Sequence, residues 1–131
     1  MVRDRNGNHH IVWREGDPSE ATEIFYSTCT ENSCSAPQGI SDTRSLTCLA
    51  QEVAIQGKPE IAVDQDDLLM VAWNIDQDGL VYTQWSSSDL PPSTPAGCVP
   101  GAADVSDGNL SLVSTGAGEF TLAYSTTQND E

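Results

Sequence analysis

The sequence predicts an all-β protein built from repeated antiparallel hairpins. The clearest hairpin is residues 59–73, PEIAVDQDDLLMVAW, in which two apolar runs flank an Asp-rich turn. The same pattern recurs without a gap 60 positions earlier, in residues 2–13, and 51 positions later, in residues 113–124. Since no stretch shows the 3.6-residue apolar period of a helix, the copies are read as strands. Three copies at a spacing of about 55 residues indicate a repeat architecture.

The first copy begins inside a hairpin. Residues 6–8, Asn-Gly-Asn, are a turn signal, and the residues that follow, 9–14, are rich in strand formers. A loop over 15–21 separates this strand from the next one, predicted at 22–27, and a short outer strand is predicted within 33–40. Beyond it, as far as Gly57, the pattern fades and no element is assigned.

The second copy contains the most regular strands. Residues 59–63 and 68–75 are predicted to pair about a turn at 65–67, and a further turn at 76–79 leads into the strand LVYTQWSS. Prolines then mark a surface crossing, because proline cannot donate to a β-ladder. The third copy, residues 109–126, is predicted to be two strands about a Gly-Ala-Gly turn.

Charge and composition narrow the partners of the chain. Its 131 residues fit one domain, and 5 basic against 20 acidic residues give a net charge of -15. This charge opposes binding to nucleic acid or to anionic lipid. The longest apolar run, residues 68–73, is far shorter than the ~20 residues of a membrane-spanning helix, so no membrane insertion is expected.

Four cysteines, Cys29, Cys34, Cys48 and Cys98, form an even set without the spacing of a zinc site. Disulfide bonds are therefore expected. Of the three connectivities that four cysteines allow, we favour Cys29 with Cys34 and Cys48 with Cys98. Disulfides persist in oxidising compartments, so the protein is predicted to be secreted or displayed at the cell surface.

The number of strands in each copy specifies the fold further. The pattern gives nearly four strands in the first copy, four in the second and two in the third, and repeated four-stranded antiparallel sheets are the blades of a β-propeller. The predicted fold is thus a single all-β unit, residues 1–131, with blade-like copies at about 1–45, 58–105 and 107–131, incomplete as a propeller. A β-sandwich of the same strands is the alternative.

Proline, alternating apolar residues, an Asp-rich turn and a strand ending in Trp together resemble the blades of sialidase-like propellers, the BNR or Asp-box family. In that family the box Ser-x-Asp-x-Gly-x-Thr-Trp joins the third and fourth strands. Residues 27–34, STCTENSC, have Cys29 at the Asp position and Cys34 at the Trp position. The resemblance implies that a disulfide replaces this clasp. Residues 87–94, SSDLPPST, keep the Ser and Asp but lack the Gly and Trp.

Several residues are candidates for a site. Aromatic faces pack against sugar rings, and Trp85, Tyr82 and Arg14 are the candidate glycan-binding residues, although Trp85 also suits a core position. Trp13, Trp73 and Tyr124 occupy equivalent repeat positions and are expected in the core. Oxygen ligands at alternate positions suggest calcium as a cofactor, although the same residues suit tight turns. The candidate calcium ligands are Asp64, Asp66, Asp76 and Asp78.

Three functions are compatible with these features. The first is an extracellular non-catalytic propeller module that binds a glycan or a protein. The second is a structural or self-assembly module, whose sheets are completed by copies of itself or by the remainder of a longer chain. The third, implied by the resemblance, is a fragment of a sialidase-like glycoside hydrolase, but the chain has only four arginines for a substrate carboxylate and no serine-nucleophile or phosphate-loop motif.

Overall fold

A computed structural model describes residues 1–16, 23–42, 57–75, 79–92, 95–99 and 105–126, and these residues contain ten strands and no helix. The all-β prediction is confirmed. The strands are β1 (Val2–Arg3), β2 (His9–Glu15), β3 (Glu23–Cys29), β4 (Gln38–Gly39), β5 (Glu60–Val63), β6 (Leu68–Ile75), β7 (Gly79–Ser86), β8 (Gly97–Cys98), β9 (Val105–Gly116) and β10 (Glu119–Thr126).

These strands form three antiparallel sheets. The first sheet has the order β1-β2-β3-β4, the second sheet has the order β5-β6-β7-β8, and the third sheet pairs β9 with β10. In every sheet each strand pairs with the strand that follows it in the chain. Hairpins of this kind need only short connections, which the Asn-, Asp- and Gly-rich turns supply.

The first hairpin of each sheet has the same register. Val2 pairs with His10, Ala62 pairs with Met70, and Val113 pairs with Thr121. These pairs are related by the sequence offsets of 60 and 51 residues between the three copies. The third and fourth strands also correspond, because Tyr26 pairs with Gln38 as Tyr82 pairs with Gly97.

The turn of this hairpin is also shared. Its last residue has a positive φ in all three sheets, at Gly7 (86°), Asp67 (60°) and Gly118 (68°). Glycine adopts this conformation without strain, and aspartate is one of the few other residues that tolerate it. In the first two sheets the residue three positions earlier, Asp4 or Asp64, accepts a backbone hydrogen bond from the last turn residue, of 3.1 and 3.2 Å.

The main core lies between the first and second sheets. We call the side of the second sheet that meets the first sheet its front face, and Leu69, Val71 and Trp73 lie there, fully buried. The faces of the other two sheets are named after the equivalent residues of the second sheet. The first sheet meets this core with its back face, on which Ile24 and Tyr26 are buried. Strict alternation along each strand places these apolar residues on one side.

A smaller core lies between the second and third sheets. The back face of the second sheet presents Ala62 and Ala72, with the larger Met70 and Tyr82 beside them. Leucines and a phenylalanine on the front face of the third sheet cover this surface: Leu110, Leu112, Phe120 and Leu122. The second sheet is therefore covered on both faces, and each interface joins the back face of one sheet to the front face of the next.

The short outer strand predicted within 33–40 is confirmed as Gln38–Gly39. A matching short strand, Gly97–Cys98, lies in the proline-rich segment where none was expected, because a two-residue edge strand carries too little periodicity to be recognised there. Of the three residues expected in the core, Trp73 is fully buried, whereas Trp13 and Tyr124 are half-buried.

Burial predicts the relative cost of truncating leucines in the two cores. Leu69→Ala should lower the free energy of unfolding by about 2–5 kcal/mol, because it leaves a cavity between the first two sheets. Leu122→Ala should cost less, since Leu122 is only half-buried at the second interface. Urea denaturation followed by tryptophan fluorescence measures both, and equal losses would contradict the prediction.

Candidate functional site

The three equivalent turns meet at one end of the stacked sheets. Arg5, in the first turn, donates its backbone N–H (3.0 Å) and its Nε (3.0 Å) to the carboxylate of Asp67 in the second turn. Gly118, in the third turn, donates its backbone N–H to Asp64 Oδ2 at 2.5 Å. Two carboxylates of the second turn therefore hold the turns on either side of it.

Asp64 is buried, and both of its carboxylate oxygens are occupied. Oδ1 accepts the backbone N–H groups of Asp66 and Leu68, each at 2.8 Å, and Oδ2 accepts that of Gly118. Burial raises the pKa of this carboxyl, but the three N–H donors and the charge of Arg5 outweigh burial and lower its pKa below the ordinary value. Asp64 thus remains ionised and acts as an acceptor for its own turn and for the third sheet.

Asp4 has the equivalent position in the first sheet but has a different partner. Its Oδ1 accepts the backbone N–H of Asn8 at 2.9 Å, and its Oδ2 lies 3.0 Å from His10 Nε2. Burial raises the pKa of Asp4, yet the hydrogen bonds from His10 and Asn8 bring it down to about 2. An ionised carboxylate only accepts, so His10 Nε2 carries the proton of this hydrogen bond.

His10 extends the network into the core. Its Nδ1 lies 2.7 Å from the hydroxyl of Tyr26, and the ring of Tyr26 packs edge-on against Trp85 with 5.0 Å between centroids. Burial raises the pKa of Tyr26, which keeps its hydroxyl protonated. The chain from Asp4 through His10 to Tyr26 is closed off from solvent, because the side chain of His10 is 0% exposed. Its role is therefore to satisfy buried polar groups.

The sequence contained part of this network. The offset of 60 residues matches Asp4 to Asp64, and alternation along a strand places the neighbours His9 and His10 on opposite faces, of which only the face of His10 is buried. The partner of His10 was not recognised, because a contact between β2 and the preceding turn has no sequence motif.

The four predicted calcium ligands are placed only in part. Asp64 is buried with its oxygens in use, and Asp66 is exposed at the tip of the same turn. Asp76 and Asp78 lie outside the described residues. Among the residues that are described, no group of three or more His, Cys, Asp or Glu side chains could hold a metal ion. Calcium binding by these four residues stays a prediction.

The three predicted glycan-binding residues do not converge. Trp85 is 6% exposed and belongs to the front-face core of the second sheet, whereas Tyr82 lies on the back face of the same strand. A separation of three residues along a strand places two side chains on opposite faces. Arg14 lies near the end of β2 in the first sheet. It is half-buried and interacts with another group of the protein.

The cysteine prediction is confirmed for one pair. Cys29, the last residue of β3, forms a disulfide with Cys34, and the two also form an isolated antiparallel bridge. Cys98, in β8, is disulfide-bonded as well. Cys48 lies outside the described residues. No described cysteine is a free thiol.

No family model, curated protein or solved structure matches the chain. The described residues also include no helix of the length and apolarity that crossing a membrane requires. The candidate site is thus defined by the geometry of the linked turns and of the sheet faces alone.

Asp64→Asn should weaken the link between the second and third sheets. The amide replaces one acceptor oxygen by an N–H donor, so at least one buried backbone N–H loses its partner, at a cost of about 1–3 kcal/mol in unfolding free energy. Asp66→Asn is the matched control, because Asp66 is exposed in the same turn. Chemical denaturation at pH 7 compares them, and equal stabilities would refute the role of Asp64.

The network of Asp4 predicts a dependence on acid. The pKa of Asp4 is lower in the folded chain than its ordinary value of about 3.9, so its contribution to stability is present above about pH 4 and is lost as the pH falls towards 2. The difference in unfolding free energy between wild type and Asp4→Asn should therefore shrink across this window. A difference that stays constant from pH 5 to pH 2 would contradict the assignment.

Proposed function

We propose that this chain is part of an extracellular, non-catalytic β-propeller module of the sialidase-like kind and that it binds a protein or a glycan. One observation carries the proposal. Three sheets with hairpins of identical register are stacked in one direction, the back face of each on the front face of the next. Blades of a propeller have this relation.

The placement of the first strands favours a propeller over a β-sandwich. A sandwich packs two sheets once, and each keeps an outer face. Here the second sheet is covered on both faces. In addition β1 contacts β5 and β5 contacts β9, so the first strands of successive sheets are neighbours. First strands gathered side by side are expected where blades surround a common axis.

The disulfide supports the relation to Asp-box propellers and an extracellular location. Cys29–Cys34 closes the connection between β3 and β4, the third and fourth strands of the first sheet, where that family has its box. In the second sheet the corresponding segment is attached differently, through the backbone N–H of Ser87 to the carbonyl of Asp67. Disulfides of this kind persist outside the cytoplasm.

A protein partner is the binding function that the described surface supports best. The two end sheets of the stack have faces that no described residue covers, and an exposed apolar side chain lies on each of them, Met1 and Val113. A glycan is the second candidate, favoured by the stacked rings of Trp13 and Phe25 on the first sheet, 5.9 Å apart at 24° and half-buried. Aromatic rings of this kind bind sugars through their faces.

A glycan array separates these candidates. If a glycan binds the aromatic pair, Trp13→Leu should weaken binding about tenfold, because it removes the ring, whereas Trp13→Phe should retain most of the affinity. Arg14 follows Trp13 in β2 and so lies on the opposite face of the first sheet, so Arg14→Ala tests the predicted basic contact separately from the aromatic pair. An array without signal removes the glycan branch, and turnover of a fluorogenic sialoside would overturn the non-catalytic proposal in favour of the hydrolase alternative.

A further inference from the structure

We infer that a second copy of this chain docks head to tail, with the back face of its third sheet on the front face of the first sheet. The inference rests on the proposed propeller stacking and names the partner. It extends a contact that occurs twice within the chain, between the first and second sheets and between the second and third.

The front face of the first sheet is equivalent to the front face of the second sheet, which is buried. Leu69, Val71 and Trp73 are fully buried there because the first sheet covers them. The residues 60 positions earlier, His9, Ile11 and Trp13, lie on the same face of the first sheet and are only half-buried. The difference between these equivalent residues is the covering sheet.

The back face of the third sheet is likewise less buried than the equivalent face of the second sheet. In the second sheet Ala62 and Ala72 are buried beneath the third sheet, whereas their equivalents, Val113 and Ala123, are exposed. Val113 is 50% exposed, and Met1, which lies at the front-face position equivalent to Ile61, is 75% exposed. Two of the three exposed large apolar side chains among the described residues therefore mark the two open faces; Leu90 is the third.

The shapes of these faces favour the head-to-tail pairing. The back face of the third sheet is made of small side chains, Val113, Thr121 and Ala123, and the front face of the first sheet carries the large Trp13 and Phe25. The second interface already pairs small residues, Ala62 and Ala72, with leucines and a phenylalanine. Two front faces would instead place large rings against large rings.

Two copies are the smallest assembly that closes. The described residues of each chain form three sheets, of which the third has two strands, so a head-to-tail pair supplies six sheets, and propellers close with about 4–8 blades. A heterologous contact must close into a ring or continue as a filament. A closed pair leaves neither open face in solution, which is the arrangement that we infer.

Native mass spectrometry and sedimentation measure whether the chain is a dimer in solution. The wild-type chain should run at twice its mass of 14.0 kDa at micromolar concentration. Val113→Glu places a charge on the back face of the third sheet and should raise the dissociation constant at least about tenfold. Leu90→Glu is the matched control, because Leu90 is 79% exposed and lies off both faces, and it should remain dimeric.

A mixing experiment tests the direction of the contact. Ile11→Lys, on the front face of the first sheet, should also give a monomer. An equimolar mixture of Ile11→Lys with Val113→Glu should recover the dimer, because one contact is then wild type and the other pairs lysine with glutamate. In a front-to-front dimer Val113→Glu would have no effect and the mixture would not recover, which would overturn the inference.

Circular dichroism establishes that each variant folds, and His9→Lys replaces Ile11→Lys on the same face if the latter does not fold. The docking is overturned if the wild-type chain is monomeric at about 100 µM. That concentration is about a hundredfold above a micromolar dissociation constant. The proposed function fails separately. Because docking would bury the rings of Trp13 and Phe25, a monomer that binds a glycan there, or that binds a protein, leaves the proposed function standing and overturns the docking. A dimer that hydrolyses a sialoside refutes the proposed function while the docking holds.

Discussion

The burial of both faces of the second sheet is the constraint on which the rest of the structure depends. Alternation along β6 sends Leu69, Val71 and Trp73 to one side and Met70 and Ala72 to the other, and each side needs a sheet against it. The first and third sheets meet this need with faces that differ from each other. A stack made in this way has a direction, and the linked turns at its end maintain the spacing of the sheets.

The sequence was sufficient for the fold class and for the register of the hairpins, because both depend on local patterns. The offsets of 60 and 51 residues place the paired residues correctly in all three sheets, since turn chemistry and alternation fix a register together. Strand β4 was predicted only as a short strand somewhere within residues 33–40, and β8 was not predicted. Two residues that pair with one neighbour carry no pattern of their own.

The candidate site was predicted less well, because its contacts join residues that are distant in sequence. Tyr82 and Trp85 were taken together as aromatic residues of one strand, although their separation already places them on opposite faces. The partners of His10 become visible only in the folded sheet, because Asp4 lies in the turn before β2 and Tyr26 lies in β3. Asp64 shows the same limit, since the N–H of Gly118 that it accepts belongs to another copy.

The turns are joined by different chemical groups, and this difference has a consequence for assembly during folding. Arg5 holds Asp67 through its backbone and its side chain, whereas Gly118 reaches Asp64 through its backbone alone. Neighbouring repeats of one chain are prone to exchange hairpins or to stack in the wrong order. Since the third hairpin has Gly116 where the first has Arg5, it cannot make the side-chain contact of the first hairpin, and this divergence among the copies helps to keep them in sequence order.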